Sequence, residues 1–396
     1  MPDRDVRMYN PTHRFETSPA AGPTDEPTSR WDYQFQSPVH DVAVWDETVY
    51  VACGESIVAI SKDGDSQWRF QTDGRVVSSP AVVNDTVYFG STDGNVYALD
   101  AAAGTPRWTV ETETPISSSP AVADGFVYIL SGERTLYAIY TYGGTERWQF
   151  EMNPVPTTAN FYPTDALSSP AVVDETVYIG GRDERLYALD ASDGTERWNC
   201  PLDGWVDSAP TVVDDTVFVG DQDNHVYALD ATTGSTRWVF ETGGQVVASA
   251  AVVDGTVFVG DTDGTIYALD AAIGAKEWTF ETHGPISSSP MVVDGTVFIG
   301  CSSGVRALDA NGGSRRWLFE SETPVFASPV IAAGTVFAGS NGGSAFALGG
   351  TGTEVFTNGT AQSESTTNVY ERCSNCDADL AADPTQNFCP HCGAKQ

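Results

Sequence analysis

The chain has 396 residues, of which 41% are hydrophobic, and its ten Trp, fifteen Tyr and eighteen Phe suffice for a sizeable core. Its 20 Lys and Arg against 54 Asp and Glu give a net charge of −34, which opposes binding of nucleic acid or an anionic membrane over most of the surface. The carboxylates are spread through the whole chain, a pattern that favours a halophilic source with an acidic proteome.

The first 30 residues are polar and rich in Pro, Thr and Asp, and they predict a disordered leader over residues 1–30. This segment contains no apolar signal sequence, and no run in the chain is long enough to span a membrane. We therefore expect a cytoplasmic protein without a membrane span.

One short pattern, an aromatic residue followed by Ala-x-Asp, a Gly and a Trp, is repeated along most of the chain. Its eight copies end at Trp68, Trp108, Trp148, Trp198, Trp238, Trp278, Trp317 and, in degenerate form, Phe356. Successive ends are 40, 40, 50, 40, 40, 39 and 39 residues apart. A period of this length is typical of repeat architectures such as β-propellers.

Each unit predicts four short strands, which in the second unit are SSPAVV, TVYFGS, NVYALD and RWTVET. Turn-forming pairs such as Asn84-Asp85 separate them, so the strands should be antiparallel. The first strands of the eight units should begin near Val39, Val76, Ile116, Ala166, Val206, Val246, Ile286 and Val325. The prediction is an all-β, eight-bladed propeller over residues 31–357.

The ends of such a ring must be joined, because an unpaired edge strand invites association. The segment from Trp31 to Phe35 matches the fourth strand of the repeat better than the segment around Phe356 does. We expect it to complete the last blade. The seven repeat tryptophans should pack between neighbouring blades, and the Gly four residues before each one should adopt a positive φ.

The pattern from Ala98-Leu99-Asp100 through Gly104 to Trp108 resembles the tryptophan-docking repeat of the pyrroloquinoline quinone (PQQ)-like propellers. The resemblance covers residues 31–357 and implies a ring of eight blades. One branch of that family comprises quinone- and calcium-dependent dehydrogenases, and another comprises a non-catalytic propeller of the bacterial outer-membrane assembly machinery. The repeat itself does not distinguish these branches.

Residues 358–370 are predicted to be a flexible linker, and residues 371–396 a zinc ribbon. The ribbon prediction depends on two Cys-x-x-Cys pairs, Cys373 with Cys376 and Cys389 with Cys392. Four thiolates close the coordination of Zn²⁺, so the zinc should be structural and the ribbon should contact a protein partner. A redox dithiol pair is the alternative.

A candidate ligand face is predicted where the loops between second and third strands meet the loops between blades. Its residues are His40, Asp41, Phe161, Tyr162, Trp205, Asp207, Asp223, Asp263 and His283. Aromatic walls with a few polar groups are typical of ligand sites. The alternatives are that the aromatic residues pack only on their own loops and that the turns with Asp223 and Asp263 are ordinary hairpin turns. Serines before the first strands should line the central channel.

Quinoprotein dehydrogenases carry a vicinal disulfide over the quinone, but no two cysteines are adjacent in this sequence. A catalytic base and a cation for the quinone carboxylates are not identifiable either, so the sequence disfavours PQQ and calcium as cofactors and assigns no catalytic residue. We interpret the protein as a non-catalytic scaffold for protein–protein interaction. The alternatives are a PQQ- and calcium-dependent alcohol or sugar dehydrogenase, and a small-metabolite sensor at the propeller mouth.

Overall fold

The computed structural model describes residues 22–132, 134–155, 167–282 and 284–349. In these ranges 32 β-strands form eight four-stranded antiparallel sheets, and the order of strands in each sheet is sequential except in the last. The predicted eight-bladed β-propeller is therefore confirmed. The linker and ribbon, the strand around Phe356, and the candidate residues Phe161, Tyr162 and His283 lie outside the described residues.

The strands follow one another blade by blade along the chain. Blades 1 and 2 comprise β2 (Val39–Trp45), β3 (Thr48–Cys53), β4 (Ser56–Ser61), β5 (Ser66–Gln71), β6 (Ala81–Val83), β7 (Thr86–Gly90), β8 (Asn95–Asp100) and β9 (Pro106–Glu111). Blades 3 and 4 comprise β10 (Ala121–Ala123), β11 (Phe126–Ser131), β12 (Thr135–Tyr140), β13 (Glu146–Glu151), β14 (Ala171–Val173), β15 (Thr176–Gly181), β16 (Arg185–Asp190) and β17 (Glu196–Pro201). Blades 5 and 6 comprise β18 (Thr211–Val213), β19 (Thr216–Gly220), β20 (His225–Asp230), β21 (Thr236–Glu241), β22 (Ala251–Val253), β23 (Thr256–Gly260), β24 (Thr265–Asp270) and β25 (Lys276–Glu281). Blades 7 and 8 comprise β26 (Met291–Val293), β27 (Thr296–Cys301), β28 (Gly304–Asp309), β29 (Arg315–Glu320), β30 (Val330–Ala332), β31 (Thr335–Gly339), β32 (Ser344–Gly349) and the N-terminal β1 (Thr28–Gln34).

The hydrophobic core lies between neighbouring blades. Tyr50 and Ile57 of blade 1, for example, form one buried cluster with Val87 and Phe89 of blade 2. Second and third strands are covered on both faces, so their sequences are nearly continuous apolar runs. Fourth strands form the outer edge and alternate between exposed and half-buried residues.

The first strands are shorter than predicted in seven of the eight blades. Each has only three residues and begins five residues after the predicted position, as β6 does at Ala81; only β2 begins where predicted, at Val39. In six of the seven blades a proline precedes the strand, as Pro80 precedes β6, and proline cannot donate a ladder hydrogen bond. Blade 6 has Ala250 at this place and the same short strand.

The ring is closed by the N-terminal strand, as predicted. β1 pairs with β32, and Trp31 lies opposite Ala347. The order of strands in blade 8 is consequently β30, β31, β32, β1. This corrects the boundary of the predicted leader, because β1 begins at Thr28 and residue 23 also contacts the propeller.

Eight tryptophans dock each blade onto the next. Seven of the indole N–H groups donate to a main-chain oxygen just beyond the third strand of the following blade, as Trp68 donates to Ala101. The eighth, that of Trp317, donates to Pro23 in the N-terminal segment, and all eight distances are 2.7–3.0 Å. The donors are Trp68, Trp108, Trp148, Trp198, Trp238, Trp278, Trp317 and Trp31. Buried area and a directed hydrogen bond together hold the ring rigid.

The glycine before each tryptophan packs against the indole of the preceding blade. Gly104 has φ +66°, and a Cβ atom there would lie 2.5 Å from the ring of Trp68. Both the backbone conformation and the close approach therefore require glycine at this position.

Candidate functional site at the propeller axis

A belt of hydrogen bonds surrounds the propeller axis just before the first strands. In blades 2 to 8 the contributing residue lies two positions before the first strand. In blade 1 it is the third residue of β2, which occupies the equivalent place because Ala43 pairs with Tyr50 as Ala81 pairs with Tyr88. The contributing residues are Asp41, Ser79, Ser119, Ser169, Ala209, Ser249, Ser289 and Ser328. Five of the links run from a main-chain N–H to the serine Oγ of the next blade, at 2.9–3.2 Å.

A second set of serines lies one residue earlier and joins the first strand to the second. Ser78 Oγ accepts from the N–H of Gly90 and donates to its carbonyl oxygen, both at 3.1 Å. Ser208 and Ser288 make the same pair of bonds in blades 5 and 7. These hydroxyls replace the ladder hydrogen bonds that the short first strands lack, so their role is structural.

Asp41 takes the place of the belt serine in blade 1. Its carboxylate accepts the main-chain N–H of Ser328 and the hydroxyl of Ser79, so it connects blade 8 to blade 2. Burial raises the pKa of Asp41 to about 6, although the hydrogen bonds from Ser79, Val42 and Ser328 oppose the rise. The neighbouring His40 has a lowered pKa, first because of burial and second because of the positive charge of Arg75.

The belt is interrupted between blades 4 and 5. Ala209 has no hydroxyl to accept the N–H of Ser169, and Asp207 enters the cavity lining at this point. The Asp207 carboxylate accepts two hydrogen bonds from Arg182, both at 2.9 Å, and one from Gln222. The Arg182 and Asp207 side chains are only 4% and 5% exposed, so this is a buried, bidentate ion pair.

The belt encloses a cavity of about 150 Å³. Serines are the commonest residues of its lining, with His40, Asp41 and Asp207 as the titratable groups and Leu167 and Phe326 as the larger apolar ones. The volume corresponds to about five water molecules and lies below the roughly 300–1,000 Å³ that is usual for small-molecule pockets.

The structure brings together three of the predicted ligand residues, His40, Asp41 and Asp207, in the axial cavity. Trp205 lies beside the Arg182–Asp207 ion pair, and the Arg182 guanidinium is 5.2 Å from the centre of the Trp205 ring. Asp223 and Asp263 are not in the cavity lining. They lie in the turns between second and third strands, where a Cβ atom on Gly204 or Gly244 would contact them.

The predicted meeting of two loop types on one face is confirmed. The main-chain N–H of Gln222, in a turn between second and third strands, donates to the carbonyl of Trp205 in the preceding loop between blades. Thr92 and Arg75 make the same contact at 2.9 Å. We call the face formed by these turns and loops the loop face.

Sequence reasoning missed Arg182. In an acidic repeat an arginine is expected to be a surface residue. The one signal for its buried role was its position within the repeat. It stands at the turn position that Gln222 occupies in the next blade, and both side chains donate to Asp207.

Among the residues that the structure describes, no three His, Cys, Asp or Glu side chains are close enough together to hold a metal ion. The four predicted zinc ligands, Cys373, Cys376, Cys389 and Cys392, lie outside those residues. Within the described ranges, no helix has the length and apolar character needed to cross a membrane.

Comparison with protein families gives one match. The model PQQ_2, described as outer membrane protein assembly factor BamB, matches residues 24–108, 54–169, 142–253 and 242–388. Comparison with curated proteins gives no match.

Solved structures share the fold at low sequence identity. BamB from Moraxella catarrhalis superposes with a TM-score of 0.71 at 20% identity, covering 82% of this chain and 99% of that one. The quinohemoprotein alcohol dehydrogenase from Comamonas testosteroni gives 0.70 at 15% identity, with 84% and 78% covered. The computationally designed Ika8 protein gives 0.68 at 16% identity, with 79% and 96% covered. Likeness at these identities establishes the fold alone.

Proposed function

Because the chain belongs to the PQQ_2 family of propellers, whose model is described as an outer membrane protein assembly factor, we propose that it is a non-catalytic scaffold that binds a protein partner. The observation that carries the proposal is the state of the axial cavity. Its volume is about 150 Å³, and its two carboxylates already have partners, since Asp207 accepts from Arg182 and Asp41 accepts from the belt residue Ser79. What remains for binding is the rigid outer surface of the propeller, and a surface of that kind suits a protein partner.

The residues present do not fit a quinone cofactor with carboxylate groups. Such a group needs a cation at the axis, and no Lys or Arg lines the axial cavity among the described residues. Arg182, the cation beside it, makes a bidentate ion pair with Asp207. The donor set resembles a structural belt rather than a cofactor cradle.

We place the partner on the loop face. Turns and interblade loops meet there and carry accessible side chains such as Arg75 and Gln245 on a backbone fixed by the strands below. Functional residues are often found on loops that a rigid scaffold positions. The zinc ribbon proposed for residues 371–396 would supply a second contact, and a tethered second contact raises the overall affinity.

The test is capture of partners by the full chain and by a chain ending at residue 357, followed by titration of each purified candidate. Substitutions Arg75→Glu and Gln245→Arg on the loop face should weaken binding at least about tenfold, or 1.4 kcal/mol. Ile273→Ser is the matched control, because Ile273 is 69% exposed in a turn between third and fourth strands. Loss of the ribbon should weaken binding without abolishing it.

Two outcomes would replace the scaffold proposal. Saturable binding of PQQ and Ca²⁺ with oxidation of an alcohol or sugar would establish a dehydrogenase. Binding of a small metabolite that is sensitive to Asp41 or Asp207, with no partner affected by the loop-face substitutions, would establish a sensor at the axis.

A further inference from the structure

The third strand of blade 7 carries a cation where blades 2 to 6 carry a tyrosine. Arg306 pairs with Ile299 of the second strand, as Tyr267 pairs with Val259 in blade 6. The tyrosines at this position in blades 2 to 6 are Tyr97, Tyr137, Tyr187, Tyr227 and Tyr267. Arg306 is only 7% exposed.

Four of these tyrosines donate their hydroxyl to an aspartate of the turn between the second and third strands of their own blade. The pairs are Tyr97 with Asp93, Tyr187 with Asp183, Tyr227 with Asp221 and Tyr267 with Asp261. A carboxylate is therefore a regular component of the junction between one blade and the next.

In blades 5 and 6 this carboxylate is fully buried and also accepts from the preceding interblade loop. The N–H of Gly204 donates to Asp221, and the N–H of Gly244 donates to Asp261, both at 3.1 Å. The junction thus offers a hydroxyl and a main-chain N–H to one internal anion.

Blade 7 has donors at the junction but no carboxylate in the turn. Cys301 stands where blades 5 and 6 have Asp221 and Asp261, and the rest of the turn is Ser302, Ser303 and Gly304. The charge at this junction changes from an anion in blade 6 to a cation in blade 7.

The guanidinium of Arg306 is incompletely satisfied. Its Nη2 donates to Ser303 Oγ at 3.0 Å and to the carbonyl of Thr282 at 3.3 Å. Its Nε is buried without an acceptor, and the group lies 5.7 Å from the ring centre of Phe280. No carboxylate of the described residues forms an ion pair with it, and burial of an unpaired charge is costly.

We propose that the junction between blades 6 and 7 binds a small oxyanion of the carboxylate class on Arg306. The anion takes the place of the aspartate that blades 5 and 6 supply internally. A guanidinium presents parallel N–H groups that match a carboxylate, and the Ser303 hydroxyl adds a neighbouring donor. The site is separate from the axial cavity, and the inference does not depend on the proposed scaffold function.

The experiment uses the full chain at a constant molar concentration of sodium while formate replaces chloride. An anion that binds only the native state raises the melting temperature as its concentration rises. We expect a saturable rise with formate in the unaltered protein. The variant Arg306→Tyr, which introduces the residue of blades 2 to 6, should increase the apparent dissociation constant for formate at least about tenfold.

Two further variants separate this site from a general effect of the salt. Cys301→Asp supplies the internal carboxylate of blades 5 and 6, so it should melt higher than the unaltered protein in chloride and should not respond to formate. Arg75→Tyr removes an exposed cation of the loop face and should keep the full response. The proposal is overturned if the unaltered protein does not respond, or if Arg306→Tyr responds as Arg75→Tyr does.

Discussion

The indole N–H of Trp317 donates to the main-chain oxygen of Pro23, 2.7 Å away and 294 positions earlier in the chain. In the other blades the acceptor follows the third strand of the next blade, as Ala310 does for Trp278. The N-terminal segment therefore supplies blade 8 with both its fourth strand and its docking carbonyl. One segment completes two kinds of contact that hold the ring closed.

Removal of that segment should open the ring. A chain that begins at residue 35 lacks β1 and the Pro23 carbonyl, so it exposes the edge of β32 and leaves the Trp317 indole without its acceptor. We expect a loss of at least about 3–5 kcal/mol, comparable to removal of one large buried aromatic side chain. Denaturant unfolding measures the loss, and size-exclusion chromatography should show self-association through the free edge.

A chain that begins at residue 22 is the matched control for this truncation. It keeps every N-terminal contact described above, so its unfolding midpoint should equal that of the full chain. Equal destabilisation of both truncated chains would contradict the assignment of closure to residues 23–34.

The packing of glycine under tryptophan predicts a large effect of a single methyl group. In Gly104→Ala the new Cβ would lie 2.5 Å from the Trp68 ring, in addition to the cost of φ +66°. A positive φ alone costs about 1–2 kcal/mol, and we expect about 2–5 kcal/mol in total because overpacking adds about 1–3 kcal/mol. Chemical denaturation measures the unfolding free energies of the variant and of the unaltered protein.

Gly125→Ala separates the two contributions. Gly125 has φ +82°, but a Cβ atom there would meet nothing within 4 Å. The unfolding free energy of this variant should fall only by the cost of the positive φ. If the two substitutions cost the same, the close approach to Trp68 does not contribute to stability.

The buried ion pair at the axis should be far more sensitive than a surface pair. Arg182→Met leaves the Asp207 carboxylate buried with Gln222 as its remaining side-chain donor, which should cost about 3–5 kcal/mol. Arg197→Met is the control, because Arg197 and Asp190 are 37% and 29% exposed and such pairs are worth about 0–1 kcal/mol. Similar losses of unfolding free energy in both variants would show that Asp207 does not depend on Arg182.

Much of the fold could be predicted from the sequence because the repeat recurs at nearly constant spacing. The number of blades, the tryptophan docking and the closing role of Trp31 follow from that spacing together with the need to cover an edge strand. The predicted early start of the first strands was wrong, because serine hydroxyls such as that of Ser78 take the place of ladder hydrogen bonds and Pro80 cannot donate one.

The axial site was only partly predictable. His40, Asp41 and Asp207 stood out because they break the serine and valine pattern of the other blades, and the structure places all three in the cavity. The roles of Arg182 and Arg306 depend on which groups surround them across blade boundaries. A single sequence does not encode those distances, although the replacement of tyrosine by arginine in the blade 7 repeat is visible in it.

The C-terminal cysteines predict one zinc ion per chain. Four thiolates of the spacing Cys373, Cys376, Cys389 and Cys392 should bind Zn²⁺ in a closed tetrahedral site. Elemental analysis of the purified protein should find one equivalent, and Cys376→Ser with Cys389→Ser should abolish it. The same double substitution at Cys53 and Cys301, which are buried in the propeller, should leave the zinc content unchanged. A chain that holds no zinc while its four thiols remain reduced would contradict the ribbon.

Asp41 predicts a pH dependence of stability whose sign is opposite to that of an ordinary paired carboxylate. Its folded pKa of about 6 lies above the usual 3.8, so between these values the native state holds a proton that the unfolded state has released. Stability therefore falls as pH rises from about 4 to about 6, by about 1–3 kcal/mol. The adjacent His40, with its lowered pKa, acts in the other direction just below its ordinary value of 6.5.

Asp41→Ser isolates this contribution, because six of the other blades have a serine at the equivalent place in the belt, as blade 2 has Ser79. The unfolding free energy of the unaltered protein minus that of the variant, measured from pH 4 to pH 7, removes the effect of every other titrating group. We expect the difference to decline through pH 4–6 and then to level off. A constant difference would mean that Asp41 titrates equally in the folded and unfolded states, and a rising one that its hydrogen bonds to Ser79 and Ser328 outweigh its burial.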